Sequence, residues 1–207
     1  SMADSVMTFR MIVKEIAAMN NVHATFMPKP LEGVQGSGMH LHLSLFSGDT
    51  NAFYSEDDPN NLSPIAKSFM AGLLRHAAEI TAVTNQTVNS YKRLVPGFEA
   101  PVHISWARNN RSGLIRVPIP KRGSASATRI EYRSPDPACN PYLAFSVILA
   151  AGMKGIREGY ELEPEADANL FEMDDAALDK LGIRQLPQSL NDALKVMETS
   201  ELVQEAL

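Results

Sequence analysis

One segment of the chain consists of a glycine-rich run followed by histidine and serine residues at every second position. The segment extends from Lys29 to Ser44 and reads KPLEGVQGSGMHLHLS, with three glycines and then three alternating polar residues: Gly33, Gly36, Gly38, His40, His42 and Ser44. Glycines permit tight turns in which backbone N–H groups approach an anion. A strand after the turn would place the polar side chains on one face, about 6–7 Å apart. Histidines so placed could bind a metal ion or phosphate, or could pair locally in a structural role.

A second group of charged side chains lies on the predicted strand from Thr128 to Arg133. Because side chains alternate along a strand, Arg129, Glu131 and Arg133 share one face. The group is either a salt-bridge ladder on an exposed sheet or a binding site. In a binding site, Glu131 would bind a hard metal ion and the arginines would bind a carboxylate or a phosphate. This strand alone leaves both interpretations open.

The net charge of -5 conceals a strongly basic central region. Between Lys92 and Arg133 the chain has nine basic residues and only two acids, Glu99 and Glu131. The guanidiniums of this region therefore exceed the acids that could pair with them, and they include Arg93, Arg108, Arg111 and Arg116. An anionic ligand, a carboxylate or a polyphosphate, would supply the missing partner. From Glu158 onward acids dominate, which predicts a solvated acidic surface.

Glu99 lies in the segment NSYKRLVPGFEAP, which spans residues 89–101. Two prolines, a glycine and the absence of periodicity predict a loop here. Glu99 is then either an ordinary solvated acid or the carboxylate of a catalytic lid.

The order of predicted elements indicates how these residues are positioned. Apolar periodicity predicts helices over residues 5–19, 63–83 and 141–158, and a last helix capped by Ser189. Alternation and β-branched or aromatic residues predict strands over 24–27, 39–45, 102–107, 114–117 and 128–133. This order is typical of an α+β fold with a mainly antiparallel sheet flanked by long helices, in one domain.

Composition excludes several classes of protein. The chain is 44% hydrophobic and 21% charged, without an apolar run of the roughly 20 residues that a membrane helix needs. Its first residues lack the features of a secretory signal, so a cytoplasmic location is expected. Cys139 is the only cysteine, which rules out an internal disulfide and suggests a buried thiol. Nucleic-acid binding by the basic region is disfavoured because aromatic residues are sparse there.

Five consecutive motifs, from about Ala24 to the end of the chain, resemble type I glutamine synthetase: FMPKP, GSGMHLHLSL, NSYKRLVPGFEAP, ARNNRSGLIRVP and RIEYRSPDPACNPYLAF. The resemblance implies part of that family's catalytic domain. It also implies ATP-dependent ligation of ammonia to L-glutamate through γ-glutamyl phosphate, with Mg²⁺ or Mn²⁺. Full-length members form homo-oligomers of stacked rings, and a dodecamer is expected.

The resemblance implies a role for each matching residue. His40 and Glu131 match metal ligands, and His42, Ser44, Arg111 and Arg116 match nucleotide or phosphate contacts. Arg93, Arg111 and Arg133 match glutamate contacts. Gln35 and Gly36 match the same site, although the family usually has Asn at the position of Gln35. Glu99 matches the lid carboxylate that helps to deprotonate ammonium, and Arg111 matches a catalytic arginine that stabilises transferred charge.

The resemblance also predicts what residues 1–207 lack. The family's other metal ligands are glutamates that precede this region. A small amino-terminal domain also precedes it. Residues 1–207 therefore form an incomplete catalytic domain, which we expect to be inactive alone. Phe171 stands where adenylylated relatives have tyrosine, and without a hydroxyl it cannot accept the nucleotide. Tyr160 is the alternative acceptor, although its position at a predicted helix end suggests that its ring packs.

Two other functions remain open from the sequence. The first is a γ-glutamyl ligase that uses another amine and shares the nucleotide-binding half. The second is a non-catalytic assembly or regulatory module.

Overall fold

The fold is known from a computed structural model, which describes residues 1–96, 100–109, 113–119, 125–166, 170, 173 and 175–207. For residues 175, 176 and 179 it describes the backbone alone. The helices and strands occur in the order α1 Met2–Met19, β1 Leu41–Leu43, β2 Phe46–Ser47, β3 Thr50–Asn51, α2 Pro64–Arg75, α3 Ala77–Thr84, α4 Ser90–Arg93, β4 His103–Ala107, β5 Gly113–Arg116, β6 Ile130–Tyr132, α5 Pro141–Glu158, α6 Asp175–Lys180, α7 Leu190–Glu198 and α8 Glu201–Ala206. A 3₁₀ turn at Ala125–Ala127 precedes β6.

Four strands form the main sheet in the order β1-β6-β5-β4. The pairs β1–β6 and β6–β5 are antiparallel, which confirms the predicted mainly antiparallel α+β fold, whereas β5 and β4 run parallel. Strands β1, β4 and β6 are shorter than the sequence pattern suggests, whereas β5 has the predicted length and begins one residue earlier. The hairpin of β2 and β3, which turns through Gly48 at a φ of 58°, was not predicted.

The predicted strand over residues 24–27 is wrong. These residues form no regular structure, and the ring of Phe26 packs edge-on against Phe9 of α1, with 6.2 Å between the ring centroids. The β-branched and aromatic residues of this stretch therefore serve a contact with a helix and do not join the sheet.

Helix α1 begins with a capping box in which the Ser1 side chain accepts a hydrogen bond from the Asp4 N–H and the Asp4 carboxylate accepts one from the Ser1 amino group. Its apolar stripe was predicted correctly as helical, but within this chain most of the stripe is open to solvent. Phe9 is 60% exposed, Ile12 50% and Ile16 54%. Exposed apolar faces of this kind are typical of interaction surfaces, and the part of the chain that the structure describes leaves this one uncovered.

The single helix predicted over residues 63–83 is two helices that meet at His76. Ser63 caps α2 by accepting a hydrogen bond from the Ala66 N–H, and Pro64 occupies the first turn, where proline is well tolerated. His76 has ψ near 7°, so it ends α2 and begins α3, and its buried ring lies 2.8 Å from Glu79 Oε1. Residues 90–93 of the predicted loop also form a short helix, α4.

Helices α2 and α5 cross on one face of the sheet and enclose the main core. Asn140 caps α5 with its side chain, and Gly159 ends it in the left-handed conformation with a φ of 63°. At the crossing Gly72 and Gly155 face each other, and a Cβ on either residue would collide with the backbone of the opposite helix. The two glycines therefore set how closely the helices approach.

The carboxy-terminal part of the chain has more helices than the single one predicted, because α6 was not predicted and α7 and α8 are separate helices. Ser189 caps α7, which packs on α3 with Ala193 buried, and α8 packs on α5 and α3 with Leu202 and Val203 buried. Cys139 is buried, as predicted, and burial is the main cause that raises the pKa of its thiol to about 12. Among the described helices, none combines the length and apolarity that crossing a membrane would require.

Substitution of Gly155 by alanine should destabilise the chain. The new Cβ would meet the Ser68 carbonyl, which is backbone and cannot rotate away. Overpacking of this kind costs about 1–3 kcal/mol, and the better helix propensity of alanine returns only about 1 kcal/mol. Chemical denaturation should show a lower free energy of unfolding for Gly155→Ala, while Leu149→Ala on the exposed side of α5 should stay near wild type. Equal stabilities for the two variants would contradict the close crossing.

Candidate functional site

Glu131 lies at the centre of the polar face of the sheet, opposite the face that α2 and α5 cover. The strand register places His42 of β1 and Arg116 of β5 directly beside it, one on each side. Ile130 and Tyr132, its neighbours on β6, belong to the apolar core on the other face. The predicted alternation of the strand is therefore confirmed, and it directs a carboxylate to the polar side.

Two guanidiniums and one imidazole converge on the carboxylate of Glu131, a residue that is only 6% exposed. His40 Nδ1 lies 2.9 Å from Oε1, and Arg116 Nη1 donates a hydrogen bond of 2.9 Å to Oε2. Arg133 Nε lies 3.5 Å from Oε1. Burial by itself would raise the pKa of Glu131, but the hydrogen bond from Arg116 and the nearby positive charges outweigh it and lower the pKa. Glu131 is therefore ionised at neutral pH.

At His40 the surroundings favour the uncharged form of the side chain, in contrast to Glu131, where they favour the charged form. Burial lowers the pKa of its imidazole, and the charge of Arg133 lowers it further, while Glu131 acts in the other direction. The ring is therefore neutral at neutral pH, which is the form that binds metal ions.

An imidazole nitrogen and a carboxylate oxygen thus meet at one point of the site, and both are suitable ligands for a divalent cation. Among the residues that the structure describes, no group of three or more His, Cys, Asp or Glu side chains could hold a metal ion. His40 and Glu131 fit one side of a coordination sphere, and further ligands would have to come from a substrate, from water or from another part of the protein.

A cavity of about 170 Å³ adjoins His40. It is lined by Gln35, Gly36, Gly38, His40, Arg93, Ala100 and Arg133. The structure thus brings together the four described residues that the sequence assigned to substrate: Gln35, Gly36, Arg93 and Arg133. Their contact with a substrate stays a prediction.

Two nearly buried guanidiniums give this cavity its positive charge. Arg93 is 4% exposed and donates to the backbone carbonyls of Ser134, at 2.7 Å, and Arg133, at 3.2 Å. Burial lowers the pKa of Arg93 to about 10, with Asp136 opposing the shift, so Arg93 stays protonated at neutral pH. Arg133 is 5% exposed and donates to the Gly113 carbonyl at 3.3 Å. Two fixed positive charges in one small cavity favour an anionic ligand.

The glycines of the 33–38 run act differently from the expectation. Gly33 alone among them needs the left-handed region, with a φ of 74°. Gly36 and Gly38 are required for close packing, because a Cβ on Gly36 would collide with the Pro28 carbonyl and one on Gly38 with the Arg93 guanidinium. They allow Arg93 to lie against the backbone of this segment.

The described residues assigned to the nucleotide, His42, Ser44 and Arg116, lie farther along the same polar face. His42 is exposed and accepts a hydrogen bond of 3.2 Å from Arg129 Nε, and Ser44 is exposed just beyond β1. Arg116 is bound to Glu131 but remains partly open to solvent. The contact of these residues with a nucleotide stays a prediction.

One expectation about the basic region is wrong. Arg108 already has a protein partner, because its Nε lies 2.9 Å from Glu165 Oε2 and its backbone N–H donates to Oε1 of the same carboxylate. Glu165 is 57 positions away in the acidic part of the chain, so counting acids nearby in sequence could not reveal the pair. Arg108 therefore does not add to the positive charge available for a ligand.

Other assignments cannot be placed. Glu99, Arg111 and Phe171 lie outside the described residues. Tyr160 is described, and its ring packs under the Arg75 guanidinium at 4.3 Å, as its position at the end of α5 suggested.

The sequence analysis missed a buried polar network behind Arg93. Asn85 Nδ2 donates to the Ser134 carbonyl at 2.8 Å and to Asp136 Oδ2 at 3.1 Å, and all three residues are fully buried. The polar SPDP turn after β6 was the one available signal, since buried polar residues need partners.

The pKa of His40 provides a direct test of this geometry. In NMR titrations of the histidine ring protons, His40 should titrate below its ordinary value of about 6.5. Glu131→Gln removes the negative charge that favours the protonated ring, so the pKa of His40 should fall further. Glu165→Gln, which removes a carboxylate paired with Arg108, should leave it unchanged. An unchanged or higher pKa in Glu131→Gln would show that the pair does not exist in solution.

Comparison with known proteins agrees with this arrangement. The family model described as glutamine synthetase, catalytic domain, matches residues 1–207. Glutamine synthetase of Mycolicibacterium smegmatis is 58% identical over 207 residues, which is 100% of this chain and 46% of that protein. The enzyme of Thermotoga maritima is 50% identical over 205 residues, 99% of this chain and 46% of the relative. The chain therefore spans less than half the length of these curated relatives.

Solved structures agree as well. A GmaS structure in complex with ADP superposes with a TM-score of 0.86 at 37% identity, covering 99% of this chain and 46% of that one. GmaS without ligand gives a TM-score of 0.85 at 38% identity, covering 99% and 45%. The match to the family model over the whole chain shows that this protein belongs to the glutamine synthetase catalytic-domain family.

Proposed function

We propose that a complete enzyme containing this chain ligates ammonia to L-glutamate at the expense of ATP and releases L-glutamine, ADP and phosphate. The observation that carries the proposal is the cavity beside His40, in which Arg93 and Arg133 lie with Gln35 and Gly36. A small anionic amino acid matches both its size and its charge. Family membership supports a ligase of this type.

In this proposal Arg93 and Arg133 bind the carboxylates of glutamate, and the Gln35–Gly36 backbone lies near its amino group. Both guanidiniums are held by backbone carbonyls, so they bind without much reorganisation. Their fixed positions orient the γ-carboxylate toward the polar face that carries Glu131. Arg111 is proposed to contact the same substrate.

His40 and Glu131 would hold one side of an Mg²⁺ or Mn²⁺ ion. When bound, such an ion neutralises charge on the ATP phosphates and on the carboxylate that approaches them. His42 and Ser44 are proposed to contact the nucleotide, with Arg111 and Arg116 near its phosphates. Arg116 is partly exposed, so it can reach an incoming phosphate while it stays near Glu131.

The reaction has two steps. An oxygen of the γ-carboxylate attacks the γ-phosphorus of ATP, the bond to the bridging oxygen breaks, and ADP leaves, giving γ-glutamyl phosphate. Glu99 is proposed to take a proton from ammonium. Ammonia then attacks the acyl carbon, the bond between that carbon and the phosphate oxygen breaks, and the departing phosphate takes the second proton that the nitrogen loses. Arg111 is proposed to stabilise the charge on the transferred phosphoryl group.

We further propose a homo-oligomer of stacked rings, located in the cytoplasm. The exposed apolar side chains of α1 support association with other parts of the enzyme, since a face of this kind is seldom left in water. Another amine as acceptor, or an assembly role without catalysis, would be alternative outcomes of the experiments below.

A chimera tests the proposed reaction. Residues 1–207 would replace the homologous region of the Mycolicibacterium smegmatis relative, and formation of glutamine and phosphate would be measured with ammonia and, separately, with methylamine. We expect turnover with ammonia. Arg93→Lys should raise the KM for glutamate by about 10- to 100-fold, since lysine cannot reproduce the fixed guanidinium fork. The matched change Arg108→Lys should have little effect.

Three results of the chimera experiment would count against the proposal. A folded chimera without turnover would favour the assembly role. Turnover only with methylamine would favour another acceptor. Equal KM values for glutamate in Arg93→Lys and Arg108→Lys would show that the cavity does not bind the substrate.

Residues 1–207 alone should show no measurable synthesis of glutamine. His40 and Glu131 are too few to hold a hard ion, which takes about six oxygen or nitrogen ligands. An assay of phosphate release that depends on both ATP and glutamate would check this. Clear turnover that Glu131→Ala abolishes would contradict the expectation.

A further inference from the structure

The carboxamide of Asn89 holds two distant segments together. Its Oδ1 accepts a hydrogen bond of 2.7 Å from the Lys29 N–H, and its Nδ2 donates one of 2.8 Å to the Lys29 carbonyl. One side chain thus satisfies both peptide groups of a residue 60 positions away. Asn89 immediately precedes α4, and α4 ends at Arg93, which lines the candidate substrate cavity.

The segment bound by Asn89 is a closed loop. The Ser37 N–H donates to the Pro28 carbonyl at 2.8 Å, which joins the two ends of the loop. Inside it, the buried Lys29 ammonium donates to the Val34 carbonyl. Internal hydrogen bonds therefore tie the loop together, and Asn89 anchors it at Lys29.

The far end of this loop forms a wall of the cavity. Gln35, Gly36 and Gly38 line the cavity opposite Arg93. The contact is close, since a Cβ on Gly36 would lie 3.3 Å from Arg93 Cγ. The width of the cavity therefore depends on where the loop lies relative to α4.

Arg93 has an independent support on its other side. Its guanidinium donates to the carbonyls of Ser134 and Arg133, and Asn85 holds the same Ser134 carbonyl. Loss of the Asn89 carboxamide would therefore displace the loop and leave the guanidinium in place. His42, Ser44 and Arg116, the described residues assigned to the nucleotide, lie on or beside β1 and β5 and make no hydrogen bond to Asn89 or Lys29 among those that hold the clamp.

We propose that Asn89 is a positioning residue that fixes the 28–38 loop against α4 and thereby sets the affinity of the cavity for its amino-acid substrate. The inference rests on the proposed function for the identity of the substrate. It assigns to Asn89 an effect on glutamate binding that does not extend to the nucleotide.

Kinetics of the chimera test the effect on binding. Asn89→Ala should raise the KM for glutamate by about 10- to 100-fold, the range that misplacement of a binding group produces. The KM for ATP and the kcat at saturating glutamate should change by less than about twofold, because groups outside the clamp stay in place. Asn89→Asp keeps the acceptor for the Lys29 N–H but loses the donor, so its KM should be intermediate.

Gln86→Ala is the matched control. Gln86 also makes two hydrogen bonds to backbone groups, donating to the Ala138 carbonyl and accepting from the Asn140 N–H, each at 3.3 Å, but it does not line the cavity. Its removal should leave both KM values unchanged. Equal KM values for glutamate in Asn89→Ala and Gln86→Ala would overturn the proposal, as would a parallel rise in the KM for ATP.

Hydrogen exchange on the 207-residue chain tests the clamp without any activity. Asn89→Ala should speed exchange of the Lys29 and Ser37 amides, while amides of α2 and α5 keep their protection. Unchanged exchange at Lys29 would overturn the clamp. If the unmodified chimera did not ligate glutamate, the proposed function would fail, and exchange would still decide whether Asn89 holds the loop.

Discussion

The buried carboxylate of Glu131 is the group on which the polar face depends. A carboxylate removed from water is costly unless charged and hydrogen-bonding partners replace the solvent. Here the partners come from His40, Arg116 and Arg133, so strands β1, β5 and β6 must stay in one register to supply them. The same partners keep Glu131 ionised, and burial beside them keeps His40 neutral. One electrostatic arrangement therefore organises the sheet and prepares two metal ligands.

One face of the sheet packs into the core, and the other carries the charged residues of the candidate site. The core face carries Ile130 and Tyr132, which are completely buried in a core shared with residues of α2 and α5, and these two helices approach closely at Gly72 and Gly155. Packing of this density restricts strand movement, and it holds β6 where Glu131 points to the other face. The rigid side therefore supports a polar site built from short strands and loops.

Much of this could be predicted from local pattern. Alternation placed His40 and His42, and likewise Glu131 and Arg133, on one face of their strands. Apolar periodicity located α2 and α5, and Ser189 marked the start of α7. The errors came from interactions between residues far apart in sequence. Arg108 pairs with Glu165, Phe26 packs on Phe9, and Asn89 clamps Lys29, and no local periodicity contains such contacts. The break at His76 was missed because the apolar stripe continues through it, while the side chain bonds to Glu79.

The central claim is that His40 and Glu131 share a cation beside a cavity in which Arg93 and Arg133 bind glutamate. A crystal structure of the chimera with Mn²⁺, a non-hydrolysable ATP analogue and L-glutamate tests it most directly. We expect His40 Nδ1 and a Glu131 oxygen to ligate the same ion, with a glutamate carboxylate on the Arg93 and Arg133 guanidiniums. An ion that does not touch Glu131, or glutamate bound outside this cavity, would contradict the claim.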